Sequence, residues 1–243
     1  MDKSVDARDT TAMAKQDNLA ADLRTRGCPV CNRVIKTARD FFAQWQYALS
    51  RDEAAQQKFA AELGFCPRHM WQLHSMSSPW GESYGLAGLT ETISARLAEA
   101  CASEEPALQR GRAVGGLQKD SRTRSLLPGG NACRICAMLE EAEADYVKKL
   151  AVFISDRKGA EIYERSQGVC LRHLARLLAL VSDPAGEFLL RTASSRFAQL
   201  AQQMRSYAAK REAVRRDLIS ADEEHAPVRA LIHLAGAEEY SGP

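Results

Sequence analysis

The sequence predicts an all-α protein made of two pseudo-equivalent helical modules, each pinned by a metal bound to three cysteines and one histidine. Three observations lead to this prediction. The chain of 243 residues contains the same pattern of cysteine and histidine twice. Its apolar residues recur at helical spacing around those positions. No segment shows the strict alternation of apolar and polar residues that is typical of a half-buried strand.

The internal repeat is the strongest of these signals. GCPVCNRV recurs as NACRICAM at an offset of 105, and GFCPRHMWQL recurs as GVCLRHLARL at an offset of 104. The match continues past the metal-binding residues, because PWGE in the first copy returns as PAGE in the second. The recurring positions are Cys28, Cys31, Cys66 and His69 in the first copy and Cys133, Cys136, Cys170 and His173 in the second.

Three thiolates and one imidazole suit tetrahedral zinc, and four protein ligands leave no open position for a reacting molecule. We therefore predict two structural Zn²⁺ ions per chain. Because each copy holds a complete set of four ligands, we expect each copy to bind its own ion. The competing arrangement pairs Cys28 and Cys31 with Cys170 and His173, and it requires the two copies to exchange halves.

The order of elements is the same in both copies. Apolar residues from Val34 to Leu49 fall on one helical face, so a helix is expected to follow the first CxxC pair. Ser50 then fits the N-cap of a second helix, and Gly64 fits the position just past its end. A third helix is expected to start at Cys66. In the second copy, Ser155 and Gly168 take the corresponding places.

A long helix ends the second copy. Apolar residues between Leu190 and Leu218 are spaced by three and four, which is the pattern of a heptad seam. We expect the part through Met204 to pack within the chain. For the part beyond, we expect a protein partner, a larger enzyme complex or a homodimer formed through the Leu190–Leu218 helix.

Composition changes divide the chain into five predicted segments. These are an N-terminal extension (1–26), the first metal-binding module (27–103), a basic Gly-rich linker (104–130), the second module (131–218) and a C-terminal tail (219–243). The net charge of +2 and the absence of aromatic residues in the linker argue against a nucleic-acid partner.

The predicted location is the cytoplasm. The charged N-terminus has no apolar core of a secretory signal, and no stretch approaches the roughly 20 apolar residues of a membrane helix. Disulfides rarely persist in the cytoplasm, so the seven cysteines indicate metal or thiol chemistry. Cys101 has no counterpart in the second copy and is interpreted as a structural residue. His74 could compete with His69, but the second copy has Leu178 at that place.

Other functions remain open at this stage. Two iron–sulfur clusters would make the protein an electron-transfer subunit, although the usual cysteine spacings are absent. A thiol-redox protein, or a component of an enzyme complex, is a further alternative because CxxC at a helix start can cycle with a disulfide. No nucleotide-binding or hydrolase motif is present. The sequence therefore favours a metal-binding accessory or adaptor protein without intrinsic catalytic activity.

The paired motifs resemble those of an uncharacterised group of bacterial proteins. That group has a CPxC start and a later G-[FL]-C-x-x-H helix, which is sometimes duplicated. The matching residues here are Cys28-Pro29-Val30-Cys31 and Gly64-Phe65-Cys66-Pro67-Arg68-His69, while the second CxxC lacks the proline. The resemblance implies metal binding and a bacterial origin, and it implies no particular activity.

Overall fold

A computed structural model describes residues 18–108, 133–212 and 218–235. Within these ranges the secondary structure is entirely helical, which confirms the predicted fold class. In chain order the helices are α1 (Leu19–Asp22), α2 (Pro29–Arg51), α3 (Glu53–Ala61), α4 (Pro67–Met76), α5 (Pro79–Leu108), α6 (Arg134–Ser155), α7 (Arg157–Arg165), α8 (Leu171–Leu178), α9 (Asp183–Glu212) and α10 (Ala221–Ala235).

The described residues form two compact units that cut across the sequence repeats. The first unit contains residues of 1–33 and 144–241, and the second contains residues of 34–143. The division therefore falls inside α2 and inside α6. As a result, the CxxC motif and the CxxH motif of the same copy belong to different units.

The short helices α3 and α7 are capped by aspartates rather than by the predicted serines. Helix α2 continues through Ser50 to Arg51, and the Asp52 carboxylate accepts a hydrogen bond from the Ala54 amide (2.9 Å). Helix α6 ends at Ser155, and the Asp156 carboxylate accepts from the Lys158 amide (3.0 Å). The predicted caps were two residues and one residue early, because a preceding helix can run through a serine while Asp satisfies the same free amides.

Glycine is required where α3 and the loop after α7 turn toward the third helix of each copy. Gly64 and Gly168 have φ angles of 73° and 74°, a left-handed conformation that L side chains rarely adopt. Gly64 was predicted just past the end of α3, and the structure places it one residue later, after Leu63, which is itself left-handed (φ 59°). Each turn leads into a helix with a cysteine at its N-cap, Cys66 for α4 and Cys170 for α8.

An aromatic core fills the second unit. Phe42, Phe59 and Phe65 are at most 1% exposed, and the Phe59 and Phe65 rings meet edge to face with centroids 5.0 Å apart. Leu49 and Leu73 complete the fully buried centre, and Cys66 and Cys136 pack against it. The core thus lies directly beneath one pair of predicted metal-binding cysteines.

The first unit has a core of its own, built largely from α6 to α10. Tyr146, Leu150, Tyr163, Leu177 and Leu189 are all at most 1% exposed. The segment before α2 is also tied to this unit, because the Tyr146 hydroxyl donates a hydrogen bond to the Asp22 carboxylate (2.8 Å).

Helix α10 packs along α9 within the same chain. Lys210 forms an ion pair with Glu223 (2.6 Å), and the Phe197 ring lies against the ring of His233. Of the heptad seam, Leu200 is buried, whereas Leu190 and Leu218 at its two ends are about half exposed (52% and 56%). The seam beyond Met204 is therefore partly covered by α10, and the homodimer remains a prediction.

No helix among the described residues has both the length and the apolarity needed to cross a membrane. Most of the predicted N-terminal extension (1–26) and of the predicted linker (104–130) lies outside the described residues. Cys101 belongs to helix α5, and its side chain is also outside the described set.

Candidate metal centres

The eight predicted ligands converge into two groups, but each group combines the two copies of the repeat. Cluster 1 consists of Cys28, Cys31, Cys170 and His173, and cluster 2 consists of Cys66, His69, Cys133 and Cys136. Each cluster has three cysteines and one histidine, whose candidate ligand atoms all lie within 4.8 Å of one another. The expectation that each copy keeps its own four ligands is therefore wrong, and the exchanged arrangement is observed.

Helix lengths explain the exchange. Helix α2 has 23 residues and α3 has nine, so the outgoing helix is about 35 Å long and the returning one about 14 Å. The returning helix thus has less than half the length of the outgoing one, which agrees with the absence of Cys66 from the cluster of Cys28. The second copy has the same mismatch, with 22 residues in α6 and nine in α7. Each CxxH motif thus meets the CxxC motif of the other copy.

Cluster 1 lies entirely inside the first unit. Its sulfur atoms surround Nδ1 of His173, at 3.3 Å from Cys28, 3.5 Å from Cys31 and 3.1 Å from Cys170. The Cys31 and Cys170 sulfurs are 3.9 Å apart. All four residues are at most 1% exposed, so this cluster is sealed from solvent.

Cluster 2 repeats the same geometry in the second unit. Nδ1 of His69 lies 3.1 Å from the Cys66 sulfur, 3.5 Å from that of Cys133 and 3.4 Å from that of Cys136. The Cys66 and Cys136 sulfurs are 3.7 Å apart. Unlike cluster 1, this cluster reaches the surface, because Cys66 and Cys136 are partly exposed.

These separations fit a single ion held by four ligands. Tetrahedral zinc, with bonds of about 2.3 Å to sulfur and about 2.0–2.1 Å to nitrogen, places its ligands about 3.8 Å (S to S) and about 3.6 Å (S to N) apart. The observed sulfur–sulfur distances of 3.7 and 3.9 Å and the sulfur–nitrogen distances of 3.1–3.5 Å are close to these values. The ligand set therefore has the size and chemistry of a closed mononuclear site.

Within each cluster, the thiols differ in pKa. Burial raises the pKa of Cys28 well above its usual range, while hydrogen bonds from Cys28 and Cys31 hold the pKa of Cys170 far below it. Burial also raises the pKa of Cys136 to about 12. Burial acts upward on Cys133 too, but hydrogen bonds from His69 and backbone amides lower its pKa to about 6. In each cluster the pKa of one thiol is lowered while that of a neighbouring thiol is raised, so one thiolate is favoured over its neighbours.

Two contacts hold the chain around cluster 1. The Gln167 side-chain oxygen accepts a hydrogen bond from the Gly27 amide (2.8 Å), which joins the residues that precede Cys28 and Cys170. His233 from α10 is buried, with Nδ1 3.4 Å from the Val169 carbonyl oxygen. The C-terminal helix therefore covers the turn that presents Cys170, and it contributes to the enclosure of cluster 1.

Arg134 is the distinctive neighbour of cluster 2, because it lies between the two cysteines of the second CxxC motif. Its guanidinium carbon is 4.4 Å from the ring centroid of Trp45 and 5.5 Å from that of Phe41, which is cation–π geometry. The guanidinium also forms an ion pair with Glu62 at 3.7 Å. The start of α6 is thus fixed to α2 and α3 within the second unit.

The sequence predicted the eight clustered residues, and it did not predict their surroundings. His74 stands outside both clusters, and its Nδ1 pairs with Glu82 (2.9 Å). Gln167 and His233 had no recurring partner in the first copy, so the repeat pattern carried no signal for them. The sequence does show Arg134 as a charged residue inside the second CxxC motif, at the position where the first copy has Pro29.

Comparison with known proteins gives one family. Neither the curated proteins nor the solved structures contain a significant match to this chain. The profile of a family of unknown function, DUF6062, matches residues 61–218, which include Cys66, His69 and all four ligands of the second copy. This match covers more than half of the chain. The protein therefore belongs to the DUF6062 family of unknown function.

Proposed function

We propose that the protein is a structural zinc protein that binds two Zn²⁺ ions and acts as a helical adaptor or accessory subunit. The observation that carries the proposal is the spacing of the ligand atoms in both clusters. Cluster 1 would hold its ion through Cys28, Cys31, Cys170 and His173, and cluster 2 through Cys66, His69, Cys133 and Cys136. With all four positions taken by protein ligands, zinc would supply cross-linking rather than Lewis-acid chemistry.

The same spacing favours zinc over the iron–sulfur alternative. In a four-iron cluster each cysteine binds a different iron, so the iron–sulfide core separates the cysteine sulfurs from one another. Here the Cys31 and Cys170 sulfurs are 3.9 Å apart, and those of Cys66 and Cys136 are 3.7 Å apart. These distances correspond to ligands that share one ion. We therefore favour a structural role over an electron-transfer role.

Metal analysis of the full chain tests the zinc proposal. We expect protein purified without oxygen to be colourless and to contain two zinc ions per chain, because each cluster offers one closed tetrahedral set. Elemental analysis and the visible absorption spectrum are the measurements. Brown protein containing iron and acid-labile sulfide would contradict the proposal and support the iron–sulfur alternative.

We also propose that the chain forms a homodimer through an exposed apolar surface. The inner face of α10 is buried through Ala226, Ala230 and His233, whereas Val228, Leu231 and Leu234 face outward and are 50–62% exposed. Leu218, at the end of the predicted heptad seam, is also exposed. Large apolar side chains grouped in this way are typical of interaction sites. The proposal extends the predicted Leu190–Leu218 interface onto the adjacent helix.

Sedimentation measurements test the second-copy proposal. The wild-type chain should form dimers at micromolar concentration, and the double variant Leu218→Glu/Leu231→Glu should remain monomeric, because it places two charges in the contact. Both proteins should retain two zinc ions. Leu180→Glu is a matched control, since Leu180 is 51% exposed in the same unit but lies outside α9 and α10. A monomeric wild-type chain, or equal dissociation in the control, would contradict the proposal.

A further inference from the structure

The two clusters share one ligand set but differ in their access to solvent. In cluster 1 every ligand is at most 1% exposed. In cluster 2, His69 and Cys133 are buried at 1% and 8% exposure, while Cys66 and Cys136 are partly exposed. A dissolved oxidant is therefore expected to reach cluster 2 more readily than cluster 1, because only cluster 2 has partly exposed cysteines. Because susceptibility of thiolates to oxidation depends on exposure, the clusters are expected to respond differently.

The sulfur atoms of the two partly exposed cysteines are also neighbours. The Cys66 and Cys136 sulfur atoms are 3.7 Å apart, although the residues are separated by 70 positions in the chain. Cys66 is the N-cap of α4, and Cys136 lies in the first turn of α6. Disulfide formation must close this separation to the S–S bond length of about 2.05 Å, which requires rotation of the two side chains.

We propose that Cys66 and Cys136 form a peroxide-sensitive dithiol, whose oxidation releases the ion of cluster 2 while cluster 1 keeps its ion. This inference rests on the proposed zinc binding and adds a modification site to it. Loss of both sulfurs leaves only Cys133 and His69 as ligands in cluster 2. Two ligands do not complete a tetrahedral site, so the ion dissociates.

The chemistry balances with hydrogen peroxide as the oxidant. One of the two sulfurs attacks a peroxide oxygen, the O–O bond breaks, and a sulfenic acid and hydroxide form. The second sulfur then attacks the sulfenic sulfur, so that the S–S bond forms, the S–O bond breaks and a second hydroxide leaves. The two hydroxides take up protons to give two waters. The two cysteines together lose two electrons, which reduce one peroxide.

The disulfide would change how α4 is held. Cys66 and His69 are the only residues of the α4 region in cluster 2, so the ion fixes this helix to the start of α6. Oxidation replaces the coordination of one ion by four residues with a single disulfide between Cys66 and Cys136. His69 then no longer binds a metal. Helix α4 also carries Trp71, which is 72% exposed and T-shaped against His74. The modification therefore acts on a helix with an exposed aromatic side chain.

Zinc release during peroxide treatment tests the proposal on the full chain. The Cys101→Ser variant is used, so that only cluster cysteines can react. Zinc is followed with a metallochromic chelator, and disulfides are mapped by mass spectrometry after acid quenching and alkylation. We expect one of the two zinc equivalents to be released, together with a Cys66–Cys136 disulfide. Cys28, Cys31 and Cys170 should be recovered as alkylated thiols, and reduction with added zinc should restore two equivalents.

Several results would overturn the inference. They are release of both ions at the same rate, earlier release from cluster 1, no release, and a disulfide that joins any other pair of cysteines. Protein that contains no zinc before peroxide is added would instead contradict the proposed function. In that case the disulfide map of the metal-free chain still decides whether Cys66 and Cys136 are the reactive pair.

Discussion

Removal of the two proposed zinc ions is expected to lower the midpoint of thermal unfolding by at least about 10 °C. Structural zinc binding contributes on the order of 10 kcal/mol in small peptides, whereas a whole domain is stable by only about 5–15 kcal/mol. Even a loss of about 5 kcal/mol lowers the midpoint by about 10–20 °C in a protein of this size. The larger core here should keep part of the helical structure.

The long chain separation of the ligands strengthens this expectation. Cluster 1 joins Cys28 to His173, which are 145 positions apart, and cluster 2 joins Cys66 to Cys136 over 70 positions. Fixing such distant segments removes more freedom from the unfolded chain than closing a loop of about forty residues, although the gain grows slowly with loop length. Metal binding in the exchanged arrangement is therefore expected to stabilise the tertiary structure more than the closure of one local hairpin would.

Circular dichroism measures this effect. Melting curves are recorded with a strong chelator, and the control contains the same chelator saturated with zinc. The helical signal at 20 °C should fall modestly, and the transition should broaden and shift downward. Identical curves in both samples would show that the ions do not support the fold.

The second large effect concerns pairs of cysteine substitutions. Cys28→Ser and Cys170→Ser each remove one ligand from the same cluster, so either change alone should empty it. The free energy of unfolding of each single variant should fall by about 4 kcal/mol or more. Loss of a metal site is one of the few mechanisms that give such a large effect. The double variant should lose little more than either single one, because residues that act in one site are strongly non-additive.

Cys28→Ser combined with Cys66→Ser gives the matched comparison. These residues belong to the same copy of the repeat but to different clusters. Their effects on the free energy of unfolding should add, since each change empties a separate site. Chemical denaturation of the three single variants (Cys28→Ser, Cys66→Ser and Cys170→Ser) and the two double variants measures the difference. Additivity for the Cys28 and Cys170 pair, with non-additivity for the Cys28 and Cys66 pair, would contradict the exchanged arrangement.

The sequence alone predicted the fold class and the eight clustered residues because both depend on local or repeated patterns. Helical spacing of apolar residues identified α2 and α6, and the duplication identified the cysteines and histidines. Gly64 and Gly168 were predicted at the turns before Cys66 and Cys170. Their φ angles of 73° and 74° are ones that glycine adopts easily and other residues rarely adopt, so this prediction needed only local information. Nothing beyond near neighbours in the chain was needed for these predictions.

The pairing of the motifs was missed because it depends on relative helix length. A hairpin whose two helices have equal length would return Cys66 to Cys28, and the expectation that each copy binds its own ion implies such a hairpin. The arms are in fact 23 and nine residues long. The sequence already indicates part of this difference in length. The apolar pattern from Val34 to Leu49 is longer than the segment that remains between Leu49 and Gly64. Placing the cap at Ser50 rather than Asp52 further lengthened the apparent return.

The repeat pattern could not predict contacts that occur in only one cluster. The Gln167 side chain that binds the Gly27 amide has Leu63 at the corresponding place of the first copy. The position of Arg134 over Trp45 likewise has no counterpart, because the first CxxC contains Pro29 there. Such contacts depend on which segments meet in space, and that depends on the exchange itself.

The most direct test of the exchanged arrangement is the zinc content of two double variants purified in parallel. Cys28→Ser/Cys170→Ser should retain one zinc ion per chain, because cluster 2 keeps all of its ligands. Cys28→Ser/Cys66→Ser should retain none, because both clusters lose a sulfur. The reverse result, with no zinc in the first variant and one ion in the second, would mean that each copy of the repeat binds its own metal and would contradict the exchange of ligands between the copies.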